Sequence, residues 1–210
     1  MKGRGFTLIE LLVAISVLAI VAVLGWRGLD GIVRARVALT DQLEGTRGMQ
    51  LTFAQMQSDC ANIVPNYVIG SRPQLVADSE RLRLVRTVFS DNQPSRLAVV
   101  VYRLNNGRLT RRESAATRDL KELDALWSST ANDDADDGVA PVILQSGVAS
   151  MSMRTWVGSG PWQTQNPIPV ATRSIPGRAG GVAVLKGLEV SLQVQGSPST
   201  MLKVFLVGPA

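Results

Sequence analysis

From Phe6 to Trp26 the chain runs 21 residues with a single charge, Glu10. As a helix rising about 1.5 Å per residue, this run reaches about 31 Å, the thickness of a bilayer's hydrocarbon core. Leu8, Ile9, Leu11, Leu12, Val13, Ile15, Val17, Leu18, Ile20, Val21, Val23 and Leu24 leave it no polar face. A helix apolar all round spans a membrane or is fully buried in protein. Lys2 and Arg4 before the run favour a cytoplasmic N-terminus with the rest translocated, although Arg27, Arg34 and Arg36 beyond it pull the other way. A cleaved secretory signal fits less well. A carboxylate at the centre of a span costs roughly 2.5–3.5 kcal/mol on insertion scales, and Val23-Leu24-Gly25 is a poor substitute for an A-x-A cleavage site. A plain signal anchor leaves Glu10 unexplained, because an ionisable residue in a span needs a partner and a purpose.

The rest of the composition closes off most recognisable chemistry. The 210 residues contain no histidine, so imidazole-based nucleophile systems, histidine zinc sites and imidazole proton shuttles are excluded. The single cysteine, Cys60, excludes an intrachain disulfide and multi-cysteine metal centres. No phosphate-binding glycine loop or nucleophile elbow occurs, so the sequence gives no catalytic, cofactor-binding or metal-ligating set.

Gly5-Phe6-Thr7-Leu8-Ile9-Glu10-Leu11-Leu12-Val13-Ala14 resembles the class III signal of type IV pilins and type II secretion pseudopilins. That resemblance implies cleavage by a prepilin peptidase between Gly5 and Phe6, followed by methylation of the new Phe6 amine. It also implies that the apolar helix is retained, first as a membrane anchor and then as filament core. In that setting the Glu10 carboxylate can pair with the Phe6 ammonium, neutralising two charges in an apolar surrounding. Loss of Lys2 and Arg4 takes the net charge from +5 to +3.

Gly25, Gly28 and Gly31, three apart, form a stripe of small residues, each costing about 1 kcal/mol of helix propensity against alanine. They read either as a place where the helix bends or melts, or as a close-contact surface for a neighbouring helix. Met49, Phe53, Met56 and Cys60 then mark one face of an amphipathic helix packed on a sheet, with Leu39 and Leu43 extending a similar stripe upstream. Cys60 reads as a buried thiol, and Pro65 marks the helix end. Beyond it the hydrophobic period falls to two. Strands are predicted at 81–88, 96–104, 108–113, 142–144, 148–157, 181–194 and 201–207, with a hairpin turn at Asn105-Asn106-Gly107 and a short helix around Leu120–Trp127. The Gly- and Pro-rich stretch 158–180 reads as a long surface loop. The expected fold is α+β: leader 1–5, membrane or filament-core helix 6–26, amphipathic continuation 27–63, and a β-rich, antiparallel, periplasmic head over 64–210.

Within the pilin-like proteins, Trp26 to Ala35, Gln145 to Val148 with Trp162, and the closing stretches Gly187–Leu192 and Lys203–Val207 look like the J-type minor pseudopilins. The Gln57-Ser58-Asp59-Cys60 sequence and the long loop depart from that pattern. The resemblance implies a non-catalytic subunit of the pseudopilus tip in the inner membrane, joined to I- and K-type minor pseudopilins and the major pseudopilin, initiating assembly and supporting export of folded proteins. A minor pilin of a type IV pilus, serving assembly, adhesion or DNA uptake, shares the same motifs. The rival of another class is a membrane-anchored periplasmic enzyme, whose acid pair would have to assemble from distant segments.

Charge is segregated along the head. Residues 72–118 hold ten arginines against Asp78, Glu80, Asp91 and Glu113, whereas 119–137 hold seven acids against Lys121. The basic block reads as solvated strand faces rather than a nucleic-acid surface, because only Phe89 and Tyr102 are interleaved. Opposed blocks can also steer subunit pairing. The acidic run 132–138 is dense in oxygen donors, but its glycine falls one place late for an EF-hand and no glutamate closes the loop, so a solvated loop is the better reading than a calcium site.

Overall fold

The computed structural model describes residues 7–130, 139–164, 184–196 and 199–207. Its long first helix, α1 (Leu8–Ala61), is uninterrupted, as expected of a stretch with no proline before position 65. Three further helix and strand groups follow: α2 (Asn66–Ile69), then β1 (Leu75–Ala77), β2 (Arg81–Ser90), β3 (Gln93–Asn105) and β4 (Arg108–Glu113), then α3 (Leu120–Ser129). The chain closes with β5 (Val142–Ser146), β6 (Val148–Val157), β7 (Trp162–Gln163), β8 (Leu185–Val194) and β9 (Thr200–Leu206). The expected α+β class is the one observed: a long N-terminal helix and an antiparallel β head. Two compact units divide the chain, Met1–Arg47 and Gly48–Ala210.

In the first unit, every large apolar side chain from Leu8 to Leu43 is more than half exposed. The expected extension of the packed stripe through Leu39 and Leu43 is therefore not seen, and these two side chains lie open. Arg34 and Asp30 form an exposed i, i+4 bridge at 2.8 Å, which contributes little at a surface.

The second unit is built from two antiparallel sheets, ordered β1-β2-β3-β4-β5 and β7-β6-β8-β9. Met49, Phe53, Met56 and Cys60, at the spacing expected of one helical face, are all buried with Leu82, Leu84, Val100 and Tyr102 of the first sheet and Met151, Leu188, Val190 and Phe205 of the second. Phe53 and Phe205 meet with ring centroids 6.2 Å apart. Burying each such side chain stabilises the fold by about 1.5–3 kcal/mol. A separate cluster on the opposite face of the first sheet joins Val85, Leu97, Val99 and Val101 to Val64, Ile69 and Leu123. Both faces of β3 are therefore covered, which explains the unbroken run Leu97–Tyr102, buried at every position.

The β3–β4 hairpin turns where Asn106 and Gly107 take φ of 49° and 73°, as the Asn-Asn-Gly signal predicts. The strand predicted at 148–157 coincides with β6, and that at 108–113 with β4. Three elements lie outside the sequence reading: α2, the three-residue β1, and the two-residue β7, which falls inside the stretch read as loop. Trp162 of β7 pairs across from Trp156, their rings 6.0 Å apart. Gly187 is placed beside this pair, where an added Cβ would come 3.2 Å from the Trp162 ring. The remainder of that loop, from 165 to 180, and the first three residues of the strand predicted at 181–194 lie outside the described residues.

Candidate functional site

Two groups of residues carry the chemistry of this chain. The first opens α1. Thr7 accepts at Oγ1 from the backbone N–H of Glu10 at 3.4 Å, while the Glu10 carboxylate accepts from the Thr7 backbone N–H at 3.1 Å and its hydroxyl at 2.9 Å. This reciprocal pair is a capping box, Thr-x-x-Glu, which satisfies helix donors that otherwise have no intrahelical partner. Glu10 thus has a second partner beside the expected Phe6 ammonium. The Thr7-Leu8-Ile9-Glu10 spacing carries the capping-box signature in the sequence itself. Gly5 and Phe6, the expected cleavage and methylation positions, lie outside the described residues. Gly25, Gly28 and Gly31 are helical, and a Cβ at any of them would meet nothing within 4 Å. All three therefore stand open to a neighbour or to substitution.

The second group is buried in the head. Asp59 of α1 is fully buried, one residue from the core thiol. Its Oδ1 accepts from Arg86 Nη1 at 2.8 Å and Arg111 Nη2 at 3.0 Å; its Oδ2 accepts from Arg111 Nε at 2.8 Å and the Tyr102 hydroxyl at 2.5 Å. Glu113 completes the cluster, accepting from Arg111 Nη2 at 2.6 Å. Two carboxylates and two guanidiniums thus balance in charge, and three adjacent strands are tied to one helix. Burial opposes ionisation of Arg111, but its bond to Asp59, the Asp59 charge and its bond to Glu113 outweigh this and hold its pKa above the usual guanidinium value. Burial, reinforced by the Asp59 charge, keeps the Tyr102 phenol protonated far into alkali. The same causes push the Cys60 thiol up to about 12, which fits the expected inert core thiol rather than a nucleophile.

For Arg86 and Arg111 this cluster corrects the reading of the basic block as solvated faces. Arg86 and Arg111 point inward, and Arg83 sits over the Trp127 ring at 5.0 Å. Arg72 forms a bidentate pair with Asp124 at 2.7 and 2.9 Å, and Arg96 bonds Gln93. Tyr102, one of the two aromatics interleaved with the arginines, is fully buried, so it offers no stacking surface to bases. The inward arginines were legible in phase: Arg86 follows Leu82 and Leu84, and Arg111 follows Leu109, at the period of a strand. Among the described residues no group of three or more Cys, Asp or Glu is placed to hold a metal ion. The acidic run 132–138, weighed above as a calcium loop, lies outside the described residues.

Residues 1–26 match a family model described as the prokaryotic N-terminal methylation motif, and residues 27–204 match the one described as type II secretion system protein J. The chain belongs to the type II secretion system protein J family. A protein of that name from Escherichia coli is 28% identical over 189 residues, covering 80% of this chain and 86% of the relative. Another from Klebsiella pneumoniae is 28% identical over 121 residues, 52% of this chain and 61% of the relative. The protein J match extends from the middle of α1 to β9 and so takes in both sheets and the Asp59 cluster. This member of the protein J family is a minor pseudopilin of type II secretion, in a family of structural subunits. The methylation motif and the apolar helix that follows it imply membrane anchoring, prepilin-type processing and partners in the pseudopilus.

Proposed function

We propose that this protein is a tip subunit of the pseudopilus, held in the inner membrane by α1 with its N-terminus cytoplasmic and its head periplasmic until assembly. Its partners in this reading are I- and K-type minor pseudopilins and the major pseudopilin, and its work is to start polymerisation in support of protein export. The observation that carries the proposal is the exposed apolar length of α1 behind a Thr7–Glu10 cap, in a chain whose remaining residues match protein J. So long an apolar surface requires lipid or neighbouring helices around it. Gly25, Gly28 and Gly31 then serve packing in the filament, either as contact points for a neighbouring helix or as positions where α1 yields. The head contributes no catalytic step in this account, and its surfaces select neighbours.

Processing supplies the test. Intact-mass spectrometry of the protein extracted from its native membrane is expected to show a chain beginning at Phe6 with a methylated amine. A chain retaining residues 1–5, or one cut near Gly25, would overturn the assigned site and with it the retained helix.

A further inference from the structure

From Leu8 to Trp26 the helix α1 rises about 28 Å, against a hydrocarbon core about 30 Å thick. Trp26, 74% exposed, therefore stands at the far edge of the core, where indole rings gather. Arg27 follows it directly and is exposed. From there to Val37 the surface changes in kind. Leu29, Ile32, Val33 and Val37 stay more than half exposed, and Arg27, Arg34 and Arg36 are interleaved with them. Neither water nor hydrocarbon alone suits such a mixture; the boundary between acyl chains and headgroups does. Arg34 is taken by Asp30, so that pair adds no net charge. The guanidiniums of Arg27 and Arg36 have no partner among the described residues, which leaves the segment two free positive charges. Each Cα–Cβ bond of a helix tilts toward its N-terminus, which for residues beyond the span is toward the bilayer. Arg36 lies about 14 Å past Arg27 along the axis, and its stem leans back over part of that distance. A headgroup layer roughly 5–7 Å deep and a screening length of about 8 Å bring both arginines within reach of an anionic surface. The proposed orientation does not account for these charges, since arginines on the translocated side oppose it.

We propose that Arg27 and Arg36 bind the headgroups of anionic phospholipids at this end of the span, fixing the depth of α1 until the subunit enters a filament. Two observations choose a lipid surface as the occupant. The arginines continue the exposed apolar surface of α1 without a break, so they lie where the membrane-embedded part of the helix ends. Their charge also complements a headgroup phosphate, which a guanidinium takes as a two-pronged hydrogen-bonded pair. The inference rests on the membrane-anchored part of the reading above and needs neither the tip position nor its partners.

The test is native mass spectrometry of the protein extracted from its membrane into neutral detergent and titrated with phosphatidylglycerol or phosphatidylcholine of the same acyl chains. Phosphatidylglycerol should bind more tightly, and its advantage should shrink as salt is raised. An arginine near an anionic surface is worth about fivefold, so Arg27→Gln and Arg36→Gln should each lower phosphatidylglycerol binding by about that factor. Glutamine is a comparable helix former, so the variants keep α1. Arg27→Lys keeps the charge and should lose less than Arg27→Gln. Arg47→Gln, about 30 Å beyond Arg27 along the helix, should bind as the wild type does. Equal binding of the two lipids would overturn the proposal. So would an unchanged preference in the Arg27→Gln/Arg36→Gln double variant, or an equal fall in Arg47→Gln. A pseudopilin subunit retained through these two arginines in place of lipid would also overturn it, by giving this face to a neighbouring helix. Wild-type protein missing from the membrane fraction would remove the anchor on which the inference stands, a failure separate from equal binding of both lipids by an inserted protein.

Discussion

Asp59→Ala is expected to destabilise the head by about 3–5 kcal/mol, the usual cost of removing one partner from a buried ion cluster. The substitution leaves Arg86 and Arg111 at the core with Glu113 alone to offset them, and it strips the Tyr102 hydroxyl of its acceptor. It also releases the last turns of α1 from β2, β3 and β4. Tyr102→Phe removes one hydrogen bond to a charged group and should cost less, about 1.5–3 kcal/mol. Thermal unfolding of the full-length protein in detergent, followed by near-UV circular dichroism, measures both. Because Asp59 is fully buried, the loss should persist at high salt, whereas an exposed pair such as Arg34–Asp30 would be screened. An Asp59→Ala protein that melts with the wild type would show that the cluster does not hold the helix to the sheet.

Glu10 carries the second large effect, and the two partners of its carboxylate make different predictions. If the assembled filament depends on charge pairing with the Phe6 ammonium, Glu10→Gln and Glu10→Ala should both insert in the membrane and both fail to assemble. If the Thr7 cap were the essential contact, Glu10→Gln would assemble normally, since glutamine serves in the same capping position. The account expects failure of both, with the helix start preserved in the glutamine variant alone. Crosslinking of the variants into pseudopili, read beside membrane fractionation, separates the outcomes. Normal assembly of Glu10→Ala would remove Glu10 from the mechanism altogether.

How far the fold could be read from the sequence follows from the range over which its causes act. The apolar run, the 49-53-56-60 face and the Asn105-Asn106-Gly107 hairpin are local patterns, and each appears where its period placed it. β1 and β7, at three and two residues, are too short to show a period and exist because a neighbouring strand pairs with them. In the sequence Asp59 stands out only as part of the Gln57-Ser58-Asp59-Cys60 departure from the J-type pattern. Its partners on the sheet lie 27, 43 and 52 residues away, and nothing in the helix announces them. An acid one turn beyond Met56 on a buried face, together with arginines in phase with Leu84 and Leu109, was the available signal. Charge counting along the sequence assigns those arginines to the surface, yet the fold turns two of them to the interior.

Co-purification of the tagged full-length protein from its native membrane, with partners identified by mass spectrometry, tests the central claim most directly. The account predicts recovery of other minor pseudopilins together with the major subunit, and loss of secretion when the gene is removed. Recovery of type IV pilus subunits in their place, with secretion intact, would contradict it.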